Sequence, residues 1–214
     1  MIDRDNIEAA IYAAARGKRK KPSVQKALAD VDGMVSFVYG LLNEGTWSPP
    51  SVRQGFWIND GIKMKRRLII HPSFVEQVIH HVYIDNIIEP IFAQRFIRWN
   101  CGTVPKRGQE EMSRHLMKFI RRKNEKAKYM VKLDIRKCFD TANVDAVYGV
   151  IAKRIRDERV LGLTRRILES NRIAMPDGTV RTNGMPIGLY TSPWFVNIAL
   201  DELDHYFTDK CGVA

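Results

Sequence analysis

Apolar residues recur every three or four positions through most of the chain, and this spacing predicts a largely helical protein. A first helix is predicted over residues 3 to 15, where the stripe is Ile7, Ala10, Ile11 and Ala14. Ser23 is a suitable N-cap for a second helix that runs to about Leu42. Similar stripes predict later helices around Phe74 to Ile91, around Met112 to Ile120 and from an Asn143 cap to Ile155. A further helix is predicted to run to about Ser170.

Two segments are predicted to form β-hairpins instead. Residues 51 to 58 and 62 to 70 flank Asn59-Asp60-Gly61, which is a strong turn signal. A second hairpin is predicted to turn at Pro176-Asp177-Gly178. Helices and antiparallel hairpins in one chain indicate an α+β fold.

The stretch from Lys132 to Asp140 alternates in a different way. Val131, Leu133 and Ile135 alternate with polar positions, so the pattern predicts a buried strand that ends near Asp134. A carboxylate at the end of a strand suits a hard cation such as Mg²⁺. An isolated Asp in this place more often only ends the strand or caps the next helix.

A second stretch, Gly184 to Asn197, reads as a glycine-rich turn that leads into a helix. Gly184 and Gly188 lack a Cβ and so permit close approach of a nucleic-acid backbone. Ser192 is a good N-cap, and Pro193 suits the first helical turn. With this stretch present, we favour the cation-binding interpretation of Asp134.

Together the two stretches resemble bacterial reverse transcriptases, the enzymes of group II introns, retrons and diversity-generating retroelements. The resemblance rests on Asp-x-x-x-x-Phe at 134–139 and on Gly-x-Pro-x-Gly-x-x-x-Ser-Pro-x-x-x-Asn at 184–197, and it extends over roughly residues 50 to 214. It implies a right-hand polymerase fold with RNA-directed DNA polymerase activity. Residues 1–43 would form a helical extension, 44–128 and 159–183 the fingers, and 129–158 and 184–214 part of the palm.

The resemblance also implies roles for individual residues. Asp134 and the carbonyl of Ile135 would bind two Mg²⁺ ions, with Mn²⁺ as a possible substitute, and Asp134 would be catalytic. Phe139 would be the steric gate against ribose, with a core aromatic as the alternative. The deoxynucleoside triphosphate would also contact Lys63, Lys65, Arg67, Ile187, Gly188 and Asn197. An RNA template, paired with a DNA or RNA primer, would contact Lys106, Arg107 and Gly184. For the basic strand and for Lys106 and Arg107, plain solvation is the alternative.

Two departures from the family pattern leave open what kind of enzyme this is. Ile187 stands where many group II enzymes have Gln, while Ser192-Pro193 is group II-like, so the subfamily is unresolved. The chain contains no Asp-Asp pair, although in the family two adjacent aspartates complete the metal site. We therefore expect a fragment that does not polymerise alone. It would be truncated before the hairpin that carries those two aspartates and before the thumb. The alternatives are an RNA-binding scaffold without catalysis and a template-independent polymerase of phage defence.

The composition agrees with a nucleic-acid partner. A net charge of +11 on 214 residues favours a polyanion, and a 45% hydrophobic content indicates a folded globular chain. Three dispersed cysteines suggest neither disulfides nor a zinc site, and no segment is long and apolar enough for a membrane span or a signal peptide. We expect a cytoplasmic protein that does not bind membranes.

Overall fold

The computed structural model describes residues 3–62, 64–122 and 129–211. The chain begins with three helices, α1 (Arg4–Ala15), α2 (Pro22–Ala29) and α3 (Val31–Asn43). The prediction of one helix from Ser23 to Leu42 is wrong, because the Asp30 side chain accepts a hydrogen bond from the N–H of Gly33 and starts α3 there. Ser23 is not a cap either: α2 begins one residue earlier, at Pro22, which is a favoured first helical residue.

The predicted hairpins are both present. Strands β1 (Gly55–Asp60) and β2 (Lys65–Ile70) pair antiparallel, with Gly55 opposite Ile70 and Asp60 opposite Lys65. The second hairpin is formed by β3 (Ile173–Ala174) and β4 (Val180–Arg181). The structure therefore confirms both hairpins, but the first turn begins at Gly61, because Asn59 and Asp60 are paired within β1. Helices with small antiparallel sheets agree with the α+β prediction.

The other helices follow the predicted apolar stripes. Helix α4 (Phe74–Tyr83) continues through a π-helical turn (Ile84–Ile88) into α5 (Glu89–Phe92). The later helices are α6 (Gln109–Arg122), α7 (Cys138–Thr141), α8 (Val144–Ala152), α9 (Glu158–Glu169) and α10 (Ser192–His205), the last of which ends in a second π-helical turn (Tyr206–Lys210). Asn143 caps α8 as predicted, since its side chain accepts a 3.0 Å hydrogen bond from the N–H of Ala146.

One large core holds most of these helices together. It is formed by fully buried side chains from α1, α3, α4, α8, α9 and α10, among them Ile7, Val38, Val82, Ile151, Ile167 and Phe195. A smaller cluster of Ile70, Ile173 and Leu189 joins β2 to β3 and to the turn before α10. The smaller cluster therefore fixes β2 against the turn that leads into α10. No helix in the described ranges has both the length and the apolar character required to cross a bilayer.

The predicted buried strand before Asp134 is not formed. Val131, Leu133 and Ile135 are 78%, 68% and 44% exposed, and the segment has no regular secondary structure. A strand is stabilised by hydrogen bonds to a neighbouring strand and by cover on its apolar face. No described segment pairs with residues 129–135, so the alternating pattern has neither partner nor cover.

Candidate functional site

The two stretches that carry the motifs meet through backbone hydrogen bonds. The N–H of Gly184 donates to the carbonyl of Ala142 at 3.0 Å, and the N–H of Met185 donates to the carbonyl of Phe139 at 2.6 Å. Gly184 has a φ of +96°, and a Cβ there would lie 2.6 Å from the carbonyl oxygen of Asp140. The turn at 184 therefore seats directly on the segment that follows Asp134, and glycine is required for that contact.

The first hairpin reaches the same turn from another direction. The N–H of Ile70 donates to the carbonyl of Ile187 at 2.8 Å, and Ile69 forms a parallel β-bridge with Ile187. Gly188 has a φ of +109°, and a Cβ there would overlap the carbonyl oxygen of Ile70. Residues 69–70, 139–142 and 184–188 thus converge on one place; we call this the three-segment junction.

This packing changes the explanation of the two glycines. The sequence suggested that they make room for nucleic acid, whereas both fit against the protein's own backbone. Gly184 is buried and Gly188 is exposed. Intramolecular packing alone accounts for both glycines, and contact with a template or nucleotide stays a prediction.

The basic side chains of β2 alternate between the two faces of the strand, as its sequence predicted. Lys65 and Arg67 lie on the same face, because they alternate with Arg66 along a regular strand. Arg67 forms an ion pair with Asp60 on the neighbouring strand, with 2.6 Å between Nε and Oδ2, and its side chain is 39% exposed. A phosphate could reach the exposed part of this guanidinium and would compete with Asp60 for it. Lys63 lies outside the described residues.

Asp134 is exposed and does not cap a helix. The N-cap position of α7 is held by Lys137, which has a left-handed φ of +54°. Burial, and then the charge of the nearby Asp134 carboxylate, raise the pKa of the Cys138 thiol. The Ile135 carbonyl accepts a 3.3 Å hydrogen bond from the N–H of Cys138 and has a second lone pair available.

The described residues do not complete a metal site. Among them, no group of three or more His, Cys, Asp or Glu side chains is arranged to hold a metal ion. Asp140, the nearest carboxylate along the chain, is engaged in an ion pair with Arg181. Asp134 is an accessible oxygen donor that suits Mg²⁺, but further oxygen ligands must come from elsewhere.

Three other predicted residues are tied to neighbouring segments. The ring of Phe139 is half-buried and packs against the main core, as the alternative interpretation expected. Asn197 donates from Nδ2 to the carbonyl of Gly102 at 2.7 Å, and so connects α10 to the loop of residues 101–108. In that loop Arg107 donates to the carbonyl of Ile97 at 3.2 Å, while Lys106 is exposed with a φ of +62°.

Sequence reasoning missed the contact that holds the second motif to α4. The hydroxyl of Tyr190 donates to Asp85 at 2.8 Å, and its ring stacks on His81 with 3.8 Å between ring centroids. His81 in turn lies 3.0 Å from Asp85. Burial and the Asp85 carboxylate raise the pKa of Tyr190. The spacing of His81 and Asp85, four residues apart on a helix, was the available signal.

The N-cap prediction for Ser192 is wrong. Ser192 is the first residue of α10 and is buried, whereas Thr191 occupies the cap position without a side-chain hydrogen bond to the helix. Pro193 lies in the first turn as predicted. The turn that precedes α10 is therefore held by the three-segment junction and by Tyr190, and a serine cap has no part in it.

Comparison with known proteins agrees with this arrangement of motifs. The family described as "Reverse transcriptase (RNA-dependent DNA polymerase)" matches residues 59–214. The chain is 28% identical over 168 residues to the group II intron-encoded protein LtrA of Lactococcus lactis subsp. cremoris, a match that covers 77% of this chain and 26% of that protein.

Two eukaryotic proteins are also similar. The putative COX1/OXI3 intron 2 protein of Saccharomyces cerevisiae is 32% identical over 83 residues, which cover 38% of this chain and 10% of that protein. Nuclear intron maturase 1, mitochondrial, of Arabidopsis thaliana is 30% identical over 132 residues, which cover 60% of this chain and 18% of that protein. The matched part of this chain thus spans about a quarter or less of the length of these relatives.

Proposed function

This chain belongs to the reverse transcriptase family, and from that membership we propose that it supplies the nucleotide-handling and template-handling part of an RNA-directed DNA polymerase. The observation that carries the proposal is the three-segment junction, which brings the basic strand, the segment after Asp134 and the glycine-rich turn together. The substrates would be deoxynucleoside triphosphates and an RNA template paired with a DNA or RNA primer.

We propose that the segments of this chain form the subdomains of a right-hand polymerase fold. Residues 44–128 and 159–183 act as fingers, residues 129–158 and 184–214 belong to the palm, and residues 1–43 form a helical extension. In the fingers, Lys63, Lys65 and Arg67 contact the triphosphate, because guanidinium and ammonium groups suit phosphate oxygens. Lys106, Arg107 and Gly184 contact the template.

The palm residues would handle the reacting end of the nucleotide. We propose that Phe139, Ile187, Gly188 and Asn197 surround the sugar and base, and that Asp134 and the Ile135 carbonyl bind Mg²⁺ or Mn²⁺. When bound, such ions neutralise the charge that develops on the transferred phosphoryl group. The described residues contain no group of three or more metal-binding side chains there, so the remaining ligands of such ions would have to come from other residues, from the nucleotide or from water.

Binding of a complementary nucleotide tests the proposal without requiring turnover. An RNA template annealed to a primer with a blocked 3′ end is bound to the chain in Mg²⁺, and its dissociation rate is measured with each deoxynucleoside triphosphate in turn. The complementary nucleotide should slow dissociation several-fold. Arg67→Ala and Asp134→Asn should each abolish that effect, whereas Arg114→Ala, which removes an exposed residue paired with Glu110 and Glu111, should not.

The same assay separates a polymerase from an RNA-binding scaffold. A scaffold would bind the hybrid, but its dissociation rate would be indifferent to which nucleotide is added, and that result would contradict the proposal. A template-independent polymerase would respond equally to all four nucleotides. We also expect no primer extension by residues 1–214 alone. Robust DNA synthesis would contradict the expectation that the active site of this chain is incomplete. The subfamily and the cytoplasmic location stay predictions.

A further inference from the structure

The β1–β2 hairpin has two faces of different character. Phe56, Ile58 and Asp60 share one face with Lys65 and Arg67, which is the face assigned above to the triphosphate. Trp57 and Asn59 share the opposite face with Arg66, and we call these three residues the Trp57 face. The Trp57 face takes no part in the proposed contacts with the triphosphate.

The Trp57 face is an aromatic surface with a cation on it. The ring of Trp57 is 42% exposed, and the guanidinium carbon of Arg66 lies 4.9 Å from the ring centroid. Further along the same face Leu68 and Ile70 pack against Ile173 and Leu189. The face is therefore anchored in a buried cluster at one end and open to solvent at Trp57.

The charge at this surface lacks an internal partner. Arg67 on the opposite face is paired with Asp60, whereas Arg66 forms no ion pair with a carboxylate in the part of the chain that the structure describes. An exposed indole with an uncompensated guanidinium beside it is complementary to a ligand that has both a flat π-system and a negative charge. Unpaired nucleotides have both, since the base offers its face and the phosphate offers charge.

We propose that the Trp57 face is a stacking platform for an unpaired base of single-stranded RNA. This inference rests on the proposed function, in which the other face of the same hairpin contacts the incoming nucleotide. A duplex hides the faces of its bases, so the platform selects the unpaired template ahead of the primer end. Base stacking on an aromatic side chain tolerates every base, which suits a strand of variable sequence.

Tryptophan fluorescence can observe the platform directly. Of the four tryptophans, Trp47 and Trp194 are buried, and Trp99 is half-buried in edge contacts with His115 and Phe119. Trp57 is the exposed one. Titration of the chain with a single-stranded RNA oligonucleotide should quench its emission. Heparin, a polyanion without bases, should not, and equal quenching by heparin would overturn the proposal.

Affinity for labelled single-stranded RNA gives the decisive comparison, measured by anisotropy. Trp57→Leu keeps an apolar side chain opposite Leu68 but cannot stack, and it should weaken binding roughly 5- to 100-fold, the range for loss of one stacked base. Phe56→Leu is the matched control, because Phe56 lies next to Trp57 on the other face and is 50% exposed. It should change the affinity less than twofold.

Two results would overturn the platform. One is an affinity for single-stranded RNA that is unchanged in Trp57→Leu. The other is no binding of single-stranded RNA at all, which would indicate that the face binds a protein partner instead. A blunt RNA–DNA hybrid, measured in parallel, reports on the proposed function alone. Hybrid binding that responds to the complementary nucleotide, with single-stranded RNA unaffected by Trp57→Leu, would refute the platform and leave the proposed function standing.

Discussion

At the scale of single residues, the three-segment junction depends on two glycines. Gly184 and Gly188 both have positive φ, and a Cβ at either position would meet a backbone carbonyl that belongs to another segment. Backbone oxygens cannot move aside as the end of a flexible side chain can. The motif was recognisable from the sequence, but its cause was not, because the sequence does not say which atoms approach each glycine.

We expect Gly184→Ala and Gly188→Ala to lower the free energy of unfolding by about 1–3 kcal/mol each. The reason is that alanine is strained at a positive φ and that its Cβ would overlap a backbone carbonyl. Gly162→Ala is the control. Gly162 lies inside α9 with nothing within 4 Å of its added Cβ, so this change should raise stability by about 0.5–1 kcal/mol. Urea denaturation measures all three. A neutral effect at 184 and 188 would mean that the junction is looser than described.

A buried histidine makes stability depend on pH. His80 is fully buried, and burial together with the charges of Arg53 and His81 lowers its pKa to about 3. Glu76 lies 3.7 Å from its Nε2, but that carboxylate is already engaged by Arg53 at 2.5 Å, so it does little to favour the imidazolium. His80 is therefore neutral in the folded protein.

The sign of the effect follows from this lowered pKa. Below pH 6.5 His80 binds a proton in the unfolded chain but stays neutral in the folded protein. Its contribution to the free energy of unfolding is therefore complete above pH 6.5 and is lost progressively as the pH falls toward 3. At pH 5 the loss should be about 2 kcal/mol. Chemical denaturation at pH 7 and pH 5 measures it. His80→Phe should remove most of the difference, while His71→Gln, which changes an exposed residue, should keep it.

At the scale of elements, the sequence predicted helices and hairpins well where local chemistry decides them. The Asn143 cap and the turn at Gly178 are local, and both were found where expected. Two local predictions failed, the caps at Ser23 and Ser192, and the other failures occurred where distant partners decide. Residues 130–135 have a strand pattern but no neighbour to pair with, and the Tyr190–Asp85 contact joins segments 105 residues apart.

A buried ion pair couples the first hairpin to the end of α9. Arg53 is 3% exposed and donates to Glu76, to the Ser170 carbonyl at 2.8 Å and to the Ser170 hydroxyl at 2.8 Å. Its N–H also donates to the Arg172 carbonyl at 2.7 Å. This network fixes where β1 enters, and nothing local in the sequence distinguished Arg53 from the many surface arginines.

Removal of one partner leaves a buried charge without compensation. We expect Arg53→Met and Glu76→Gln each to lower the free energy of unfolding by about 3–5 kcal/mol. The exposed pair of Arg114 with Glu110 and Glu111 provides the contrast, and Arg114→Met should lower it by less than about 1 kcal/mol. Thermal or urea denaturation distinguishes them, and equal small effects would contradict the buried network.

At the scale of the whole molecule, charge sets how the chain meets its partner. If the chain binds RNA–DNA hybrids as proposed, its net charge of +11 implies that phosphate contacts dominate that affinity and make it strongly dependent on salt. We expect the logarithm of the association constant to fall linearly with the logarithm of the salt concentration between 50 and 300 mM.

If the exposed Lys106 neutralises one template phosphate, as proposed, Lys106→Ala should reduce the magnitude of that slope by about one. Trp57→Leu should leave the slope unchanged, since stacking releases no counterions. A slope near zero for the unaltered chain would show that the basic surface does not contact the nucleic-acid backbone.

The central claim is that Asp134 and the three-segment junction form one cation and nucleotide site, and iron-directed cleavage tests it most directly. Fe²⁺ replaces Mg²⁺ in the presence of primer–template and nucleotide, and it reduces added hydrogen peroxide to hydroxyl radicals that cut the protein near the bound ion. The account predicts cuts confined to residues 132–140 and 184–188, and their loss in Asp134→Asn. Cuts elsewhere, or cuts at these positions that persist in Asp134→Asn, would contradict it.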